Sequence, residues 1–312
     1  MSGNVYDQAS RYLAKQEPEA CLAWLLGLSP DRFAFRGWID ARRVRFPGEP
    51  DRTCDTVAFL ENLASGSEPW ALPVEFQIEP DADMFARMLG YLGTLGLEKR
   101  PSETRGDRFR LGAVVVNLTG KGDCSRDMRW PEAGLVTHLG VCERNMAERD
   151  AAVTLDDIEA GRAPAIVLPL IPLMQRGGEE GIIQRWVALA SAEPDARRRG
   201  DYGGLALVYA EAGDCHAVWK KALEGWNVIQ SKQVMEWQAQ AHKLGHDRGF
   251  DEGRVHKAKQ LLREILRAKF TTIPSEIDAT IAHSADEATL DRWAIFAVQS
   301  DSIDTFRHQA GV

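Results

Sequence analysis

The hexapeptide VEFQIE at residues 74–79, followed at once by PDADMFARMLGYL, constrains the fold more than any other stretch. Side chains alternate faces along a strand. Val74, Phe76 and Ile78 therefore point toward a core, while Glu75, Gln77 and Glu79 share the opposite face. Beyond Pro80, the residues Met84, Phe85, Met88, Leu89, Leu92 and Leu95 recur at helical spacing, with Asp81 or Asp83 placed as N-cap. A switch from period 2 to period 3.6 across one turn is a strand feeding a helix, which predicts an α/β protein.

The flanking sequence extends this unit. Residues 6–26 carry Tyr12, Leu13, Cys21, Leu22, Trp24 and Leu25 at helical spacing, with Pro18 as a break and Pro30 as an end. Between residues 33 and 77, the extended runs FRGWIDARRVRF, TCDTVAFL and ALPVEFQIE are separated by the turn clusters PGEPD and NLASGSEPW. This predicts an antiparallel meander of three strands. After the helix, RLGAVVVNLTG reads as a buried strand. The predicted order is helix, three strands, helix, strand.

Further on, AIVLPLIPLM (residues 165–174) holds two prolines and reads as a buried strand and turn. It is far shorter than the roughly 20 apolar residues of a membrane span. EEGIIQRWVALASA and CHAVWKKALEGW read as helices. A long polar helix from Ser231 toward Phe270 carries Gly245, Gly249 and Gly253 at a four-residue period. It suits a semi-flexible connector better than a helix–helix seam. SEIDATIAH and ATLDRWAIFAVQ then form a small bundle with LLREILRAK. The expected organisation is a core (1–125), a mixed extension packed on it (126–230), a connecting helix (231–260) and a small helical domain (261–312).

Composition narrows the function classes. A net charge of −8 and a pI of about 5.5 weigh against sequence-independent clamping of nucleic acid, which favours a basic excess. Local basic clusters stand against that total: Arg42, Arg43 and Arg45; Lys99 and Arg100; Arg197, Arg198 and Arg199; and the helix from 254 to 269. Five cysteines without a CxxC argue against a disulfide framework or a zinc ribbon. The N-terminal residues lack a charged-then-apolar leader pattern, so a cytoplasmic protein without membrane association is expected.

One constellation bears chemistry. Asp55 opens the run DTVAFL, and hairpin pairing with the next strand would bring it near Glu75. Two adjacent carboxylates repel unless a cation compensates, and hard oxygen ligands with waters describe a Mg2+ site. Gln77 would orient an attacking water, without the positive charge of a lysine. Arg87 and Tyr91, on the following helix, are placed to touch a phosphate backbone. The same residues also suit an exposed polar strand face, and a second Glu-x-Gln at Glu236-Trp237-Gln238 lies in a helix. Three weaker signals are set aside. His242 and His246 lack a third ligand and read as a solvated helix face, LTGKGD does not match a phosphate loop, and no Gly-x-Ser-x-Gly elbow occurs.

On Asp55, Glu75-Phe76-Gln77 and the helix DADMFARMLGYL, the chain resembles the PD-(D/E)XK nuclease superfamily. In particular it is similar to the Rpn-like, transposase-associated branch, whose members typically show an Asp on one strand and Glu-x-Gln on the next. PLMQRGG and the glycine-spaced helix with its helical tail resemble later segments of the same proteins. The resemblance implies an αβββαβ, restriction-endonuclease-like core with a mostly helical C-terminal half. It implies a Mg2+-dependent DNA endonuclease of recombination or mobile-element biology, with Mn2+ as the alternate metal. Asp55 and Glu75 would be metal ligands, the Phe76 carbonyl a third, and Gln77 would stand at the superfamily's lysine position. An acidic residue of the first helix sometimes completes such sites, and Glu17 and Glu19 are the ones at hand without a clear motif. The alternatives are a DNA-binding or regulatory protein of this fold without cleavage, and a scaffold that self-associates through its C-terminal helices.

Overall fold

The computed structural model describes residues 4–39, 45–46, 49–54, 56–63, 69–97, 109–226 and 232–312. Asp55 and the basic residues Arg42, Arg43, Lys99 and Arg100 lie outside the described residues. The chain divides into two compact units, Met1–His242 and Lys243–Val312.

The first unit opens with α1 (Val5–Gln16), capped by Asn4 accepting from the Tyr6 N–H, and α2 (Pro18–Leu26). Pro18 opens α2 because its missing N–H would be unpaired in a first turn. Gly27 closes the helix in the left-handed conformation, φ +68°. The chain then runs through β1 (Phe33–Ile39), a hairpin of β2 (Arg45–Phe46) and β3 (Glu49–Thr53), β4 (Thr56–Asn62) and β5 (Pro69–Gln77). Next come α3 (Met84–Gly96), β6 (Arg110–Leu111), β7 (Val114–Asn117), a hairpin of β8 (Arg126–Trp130) and β9 (Leu135–Leu139), and β10 (Cys142–Asn145).

Among the described residues, one six-stranded mixed sheet runs β1-β4-β5-β7-β10, with β6 beside β5. β1, β4 and β5 are an antiparallel meander; β7 is parallel to β5, and β10 is parallel to β7. A bulge between Phe35 and Gly37 interrupts the β1 register, and Gly37 takes φ +135° there. Helix, three strands, helix and strand occur in the expected order within this sheet, but the expected first strand stops at Ile39, and the β2–β3 hairpin and β6 are additional.

Both sheet faces are covered, which is why Val114, Val115 and Val116 are all buried. Leu13, Leu22 and Leu25 of α1 and α2 belong to the same core as Leu72, Val74, Phe76, Val114 and Val116. Met84, Met88, Tyr91 and Leu95 of α3 pack with Val57, Ala71 and Val115 on the other face. The buried stripe of α3 therefore includes Tyr91, while Leu89, expected within it, is exposed.

The rest of the unit is helical: α4 (Ala151–Glu159), α5 (Glu180–Ser191), α6 (Ala196–Ala212) and α7 (His216–Ala222), followed by the first turns of α8 (Lys232–Phe270). Residues Ala165–Leu173, expected as a strand and turn, form a buried 3-10 helix instead. Pro169 and Pro172 explain the difference: each fixes φ near the helical value and removes a donor that a strand ladder would need. The indole of Trp186 donates to the Leu168 carbonyl at 2.7 Å and ties this segment to α5.

The second unit contains the remainder of α8 with α9 (Ser275–His283), α10 (Glu287–Gln299) and α11 (Ile303–Ala310). Leu262, Leu266, Ile277, Ile281, Leu290, Ala297 and Phe306 form its core. Arg263 pairs with Asp278 at 2.5 Å and Arg254 with Glu287 at 2.7 Å across its surface. No helix among the described residues is long and apolar enough to cross a membrane.

Candidate functional site

β5 supplies the site because of its register. Its residues Val74 to Gln77 pair with Val114 to Asn117 of β7, which pair in turn with Cys142 to Asn145 of β10. Directly opposed residues share a sheet face. The rows Glu75–Val115–Glu143 and Gln77–Asn117–Asn145 therefore lie on the face covered by α3. Val74 and Phe76 face the opposite core with Val114 and Val116. Glu75 and Gln77 share one face, as the alternation requires, but β5 ends at Gln77, so Ile78 and Glu79 belong to the following bend.

Glu75 is only 2% exposed, so its charge needs a partner. Arg87 provides it: its Nη2 lies 3.0 Å from Glu75 Oε2, while its Nη1 donates to Asp81 Oδ2 at 2.9 Å. α3 makes this possible because Arg87 sits one turn into the helix, three residues past Met84, on the side facing β5. Burial opposes the Arg87 charge, but Glu75, Tyr91 and Asp81 outweigh it, and the net shift holds the guanidinium more firmly protonated than usual. Tyr91, one turn further on, is wholly buried. Burial first, and the nearby Glu75 charge second, push its phenol up to about 12.

Gln77 is also committed locally. Its Oε1 accepts the Asp81 N–H at 2.7 Å, and Asp81 Oδ1 accepts the Asp83 N–H at 2.9 Å. These bonds shape the turn between β5 and α3, with Asp83 at the N-cap position but making no side-chain cap bond. The amide thus links the strand that carries Glu75 to the helix that carries Arg87.

The spacing puts Arg87 and Tyr91 opposite the apolar stripe of α3 or flanking it, where they could touch a phosphate backbone. In the structure Tyr91 is part of the core, and the Arg87 side chain, 13% exposed, turns its guanidinium inward onto Glu75. The reason is that a buried carboxylate recruits the nearest cation, and the polar spacing of a helix cannot report what lies beneath it. Glu17, between α1 and α2, pairs with Arg198, and Glu19 of α2 accepts the Phe35 N–H at 3.3 Å, so both acids are engaged elsewhere.

For a divalent cation, the described donors of the expected set are the Glu75 carboxylate and the Phe76 carbonyl; Asp55 lies outside the described residues. Oxygen donors of this kind suit Mg2+. Arg87 already holds Oε2, so an ion at Glu75 would share that carboxylate with the guanidinium.

Sequence reasoning missed a polar cluster beside this pair. The Asn117 amide, fully buried, donates to Glu143 Oε1 at 2.9 Å and to Asn145 Oδ1 at 2.7 Å. Glu143 Oε2 accepts the Cys124 N–H at 2.9 Å, and Asn145 Oδ1 accepts the Gly122 N–H at 3.0 Å. Gly122 has no room for a side chain, since a Cβ there would collide with the Asn117 amide and the Glu143 carboxylate. Asn117 Oδ1 is buried without a hydrogen-bond partner among the described residues. One signal was visible in advance: a polar Asn closing the apolar run AVVVN. β10, at four residues, is too short for its alternation to be read.

No protein-family model matches this chain, and neither the curated proteins nor the solved structures contain a match.

Proposed function

We propose that the first unit is a PD-(D/E)XK-type nuclease module that hydrolyses DNA phosphodiesters with Mg2+, or with Mn2+ in its place, as in transposase-associated enzymes. The observation that carries this reading is the placement of Glu75 and Gln77 on one face of the central strand, beneath α3. The order of helix, antiparallel meander, helix and parallel strand supports it, as the αβββαβ core expects. In this reading Asp55 and Glu75 hold the ion, the Phe76 carbonyl assists, and Gln77 orients water. The ion would neutralise charge on the phosphate and lower the pKa of bound water.

A second reading is favoured by a specific contact: Arg87 already neutralises Glu75. A protein of this fold in which that pair is purely structural would bind nucleic acid without cutting it.

Supercoiled plasmid incubated with Mg2+ and either the wild type or Asp55→Ala, alongside a mobility-shift assay, separates the two. Cleavage by the wild type alone supports the nuclease. Binding without cleavage by either protein supports the second reading. Equal nicking by both overturns the assignment of Asp55, and neither binding nor cleavage overturns the nucleic-acid readings and leaves a scaffold role.

A further inference from the structure

Away from the sheet, three side chains from three helices converge in the first unit: Glu211 of α6, His216 of α7 and His242 of α8. Glu211 Oε1 lies 3.2 Å from His216 Nδ1 and 2.8 Å from His242 Nδ1. One donor atom from each residue lies within 4.8 Å of the other two. The imidazole rings face one another at 5.3 Å between centroids, tilted by 30°. His246, the apparent helical partner of His242 in the sequence, is exposed and lies beside Asp247.

We propose that Glu211, His216 and His242 form a transition-metal site, best matched to Zn2+, with water as the remaining ligand. The donor chemistry decides the class of ion. Two imidazoles and one carboxylate suit a borderline-soft cation, whereas Mg2+ prefers an all-oxygen shell. The spacing agrees. Zinc bonds of about 2.0–2.2 Å in a tetrahedron hold donor atoms roughly 3.3 Å apart. The Glu211–His216 separation already meets this value, and the Glu211–His242 contact needs to open by about half an ångström. His242 is 65% exposed on its side chain, so solvent reaches the fourth position.

The backbones bearing these ligands are fixed independently of any ion. α6 is held by Tyr209, wholly buried, whose hydroxyl meets Ser10 at 3.0 Å. Asp214 takes φ +55° in the short turn that returns the chain from α6 to α7, and Trp219 anchors α7 by donating to the Gly177 carbonyl at 2.9 Å. On α8, Val234, Trp237 and Ala241 are buried in the same core, and Trp237 meets Tyr12 edge-on at 5.3 Å. A preformed site of this kind loses little conformational entropy on binding. An ion there would clip the start of α8 to the α6–α7 turn.

The test uses the full-length protein, freed of any tag and stripped with chelator. Zn2+ binding is followed by calorimetry, and Co2+ by its visible absorption. We expect a single tight ion per chain in the wild type and in His246→Ala. We expect affinity to fall by at least about 100-fold in His216→Ala and in His242→Ala, beyond the loss typical of an outer-sphere change. Circular dichroism confirms that each variant is folded, and Glu211→Gln supplies a milder variant that keeps the side-chain shape. No stoichiometric binding by the wild type overturns the proposal. So does binding that survives His216→Ala or is lost in His246→Ala.

Discussion

Arg87 Nη2 stands 3.0 Å from Glu75 Oε2, and this ion pair closes the face of the sheet where the candidate site lies. It joins the central strand to the helix that covers it, and it decides how available Glu75 is to anything else. A buried pair of this kind adds little net stability compared with apolar packing, yet losing one partner is costly because the other charge is stranded.

Arg87→Ala should therefore destabilise the first unit by about 3–5 kcal/mol, read from urea unfolding. Adding Glu75→Gln to it should recover part of that loss, because no buried carboxylate then lacks a cation. A double variant as unstable as the single one would show that the cost comes from lost packing of the arginine stem.

Gly122→Ala should cost about 1–3 kcal/mol, the usual range for overpacking, because the new methyl group meets the Asn117 amide and the Glu143 carboxylate. Thermal unfolding of the variant against wild type measures it. An unchanged midpoint would mean that the Asn117–Glu143–Asn145 cluster yields without strain.

In the second unit the outcome has the opposite sign. A Cβ at Gly249 or Gly253 meets no atom within 4 Å, so these glycines serve no close approach among the described residues. Gly249→Ala and Gly253→Ala should each stabilise α8 by about 1 kcal/mol. Sedimentation adds a second readout: if these glycines formed a seam between copies, the alanines would weaken association.

Stability should fall in alkali. Burial first, and Glu17 second, push the Cys21 thiol up to about 12 from its ordinary value of 9.0. Burial raises the Tyr209 phenol as well, against the opposing Ser10 hydrogen bond. Raised values mean that the folded chain holds these protons longer than the unfolded one. The Cys21 contribution is complete below pH 9.0 and is lost as pH rises toward about 12, with a slope of about 1.4 kcal/mol per pH unit, while that of Tyr209 starts to fall only above its ordinary value of 10.0. Urea unfolding across that window should show the decline, and Cys21→Ala should make it shallower.

Much of the sheet was legible because its signals are local. The alternation around Glu75, the β-branched run of β7 and the turn clusters between strands each belong to one short segment. The antiparallel neighbours β1, β4 and β5 were legible too, but the parallel neighbours beyond β5 were not. Asn117, Glu143 and Asn145 meet through parallel pairing of strands distant in sequence, and β10 is too short to show a period. Tyr91 misled because an aromatic with a hydroxyl suits either a core or a surface. Arg87 misled because the carboxylate it neutralises lies on a different element. His242 was paired by spacing with His246, whereas its partners are Glu211 and His216, brought to it by the packing of separate helices.

Whether the Glu75 face of β5 acts on DNA, as proposed, is read from the plasmid-cleavage rate of Glu75→Gln beside the wild type in Mg2+. Glutamine keeps the shape of the side chain and a hydrogen-bond acceptor for Arg87 while removing the charge that would hold a cation. We predict Mg2+-dependent nicking by the wild type, abolished by chelator, and a loss of at least about 100-fold in the variant, the size typical of removing a major electrostatic contact at a reacting centre. Equal rates for the two proteins, or no cleavage by the wild type, would contradict it.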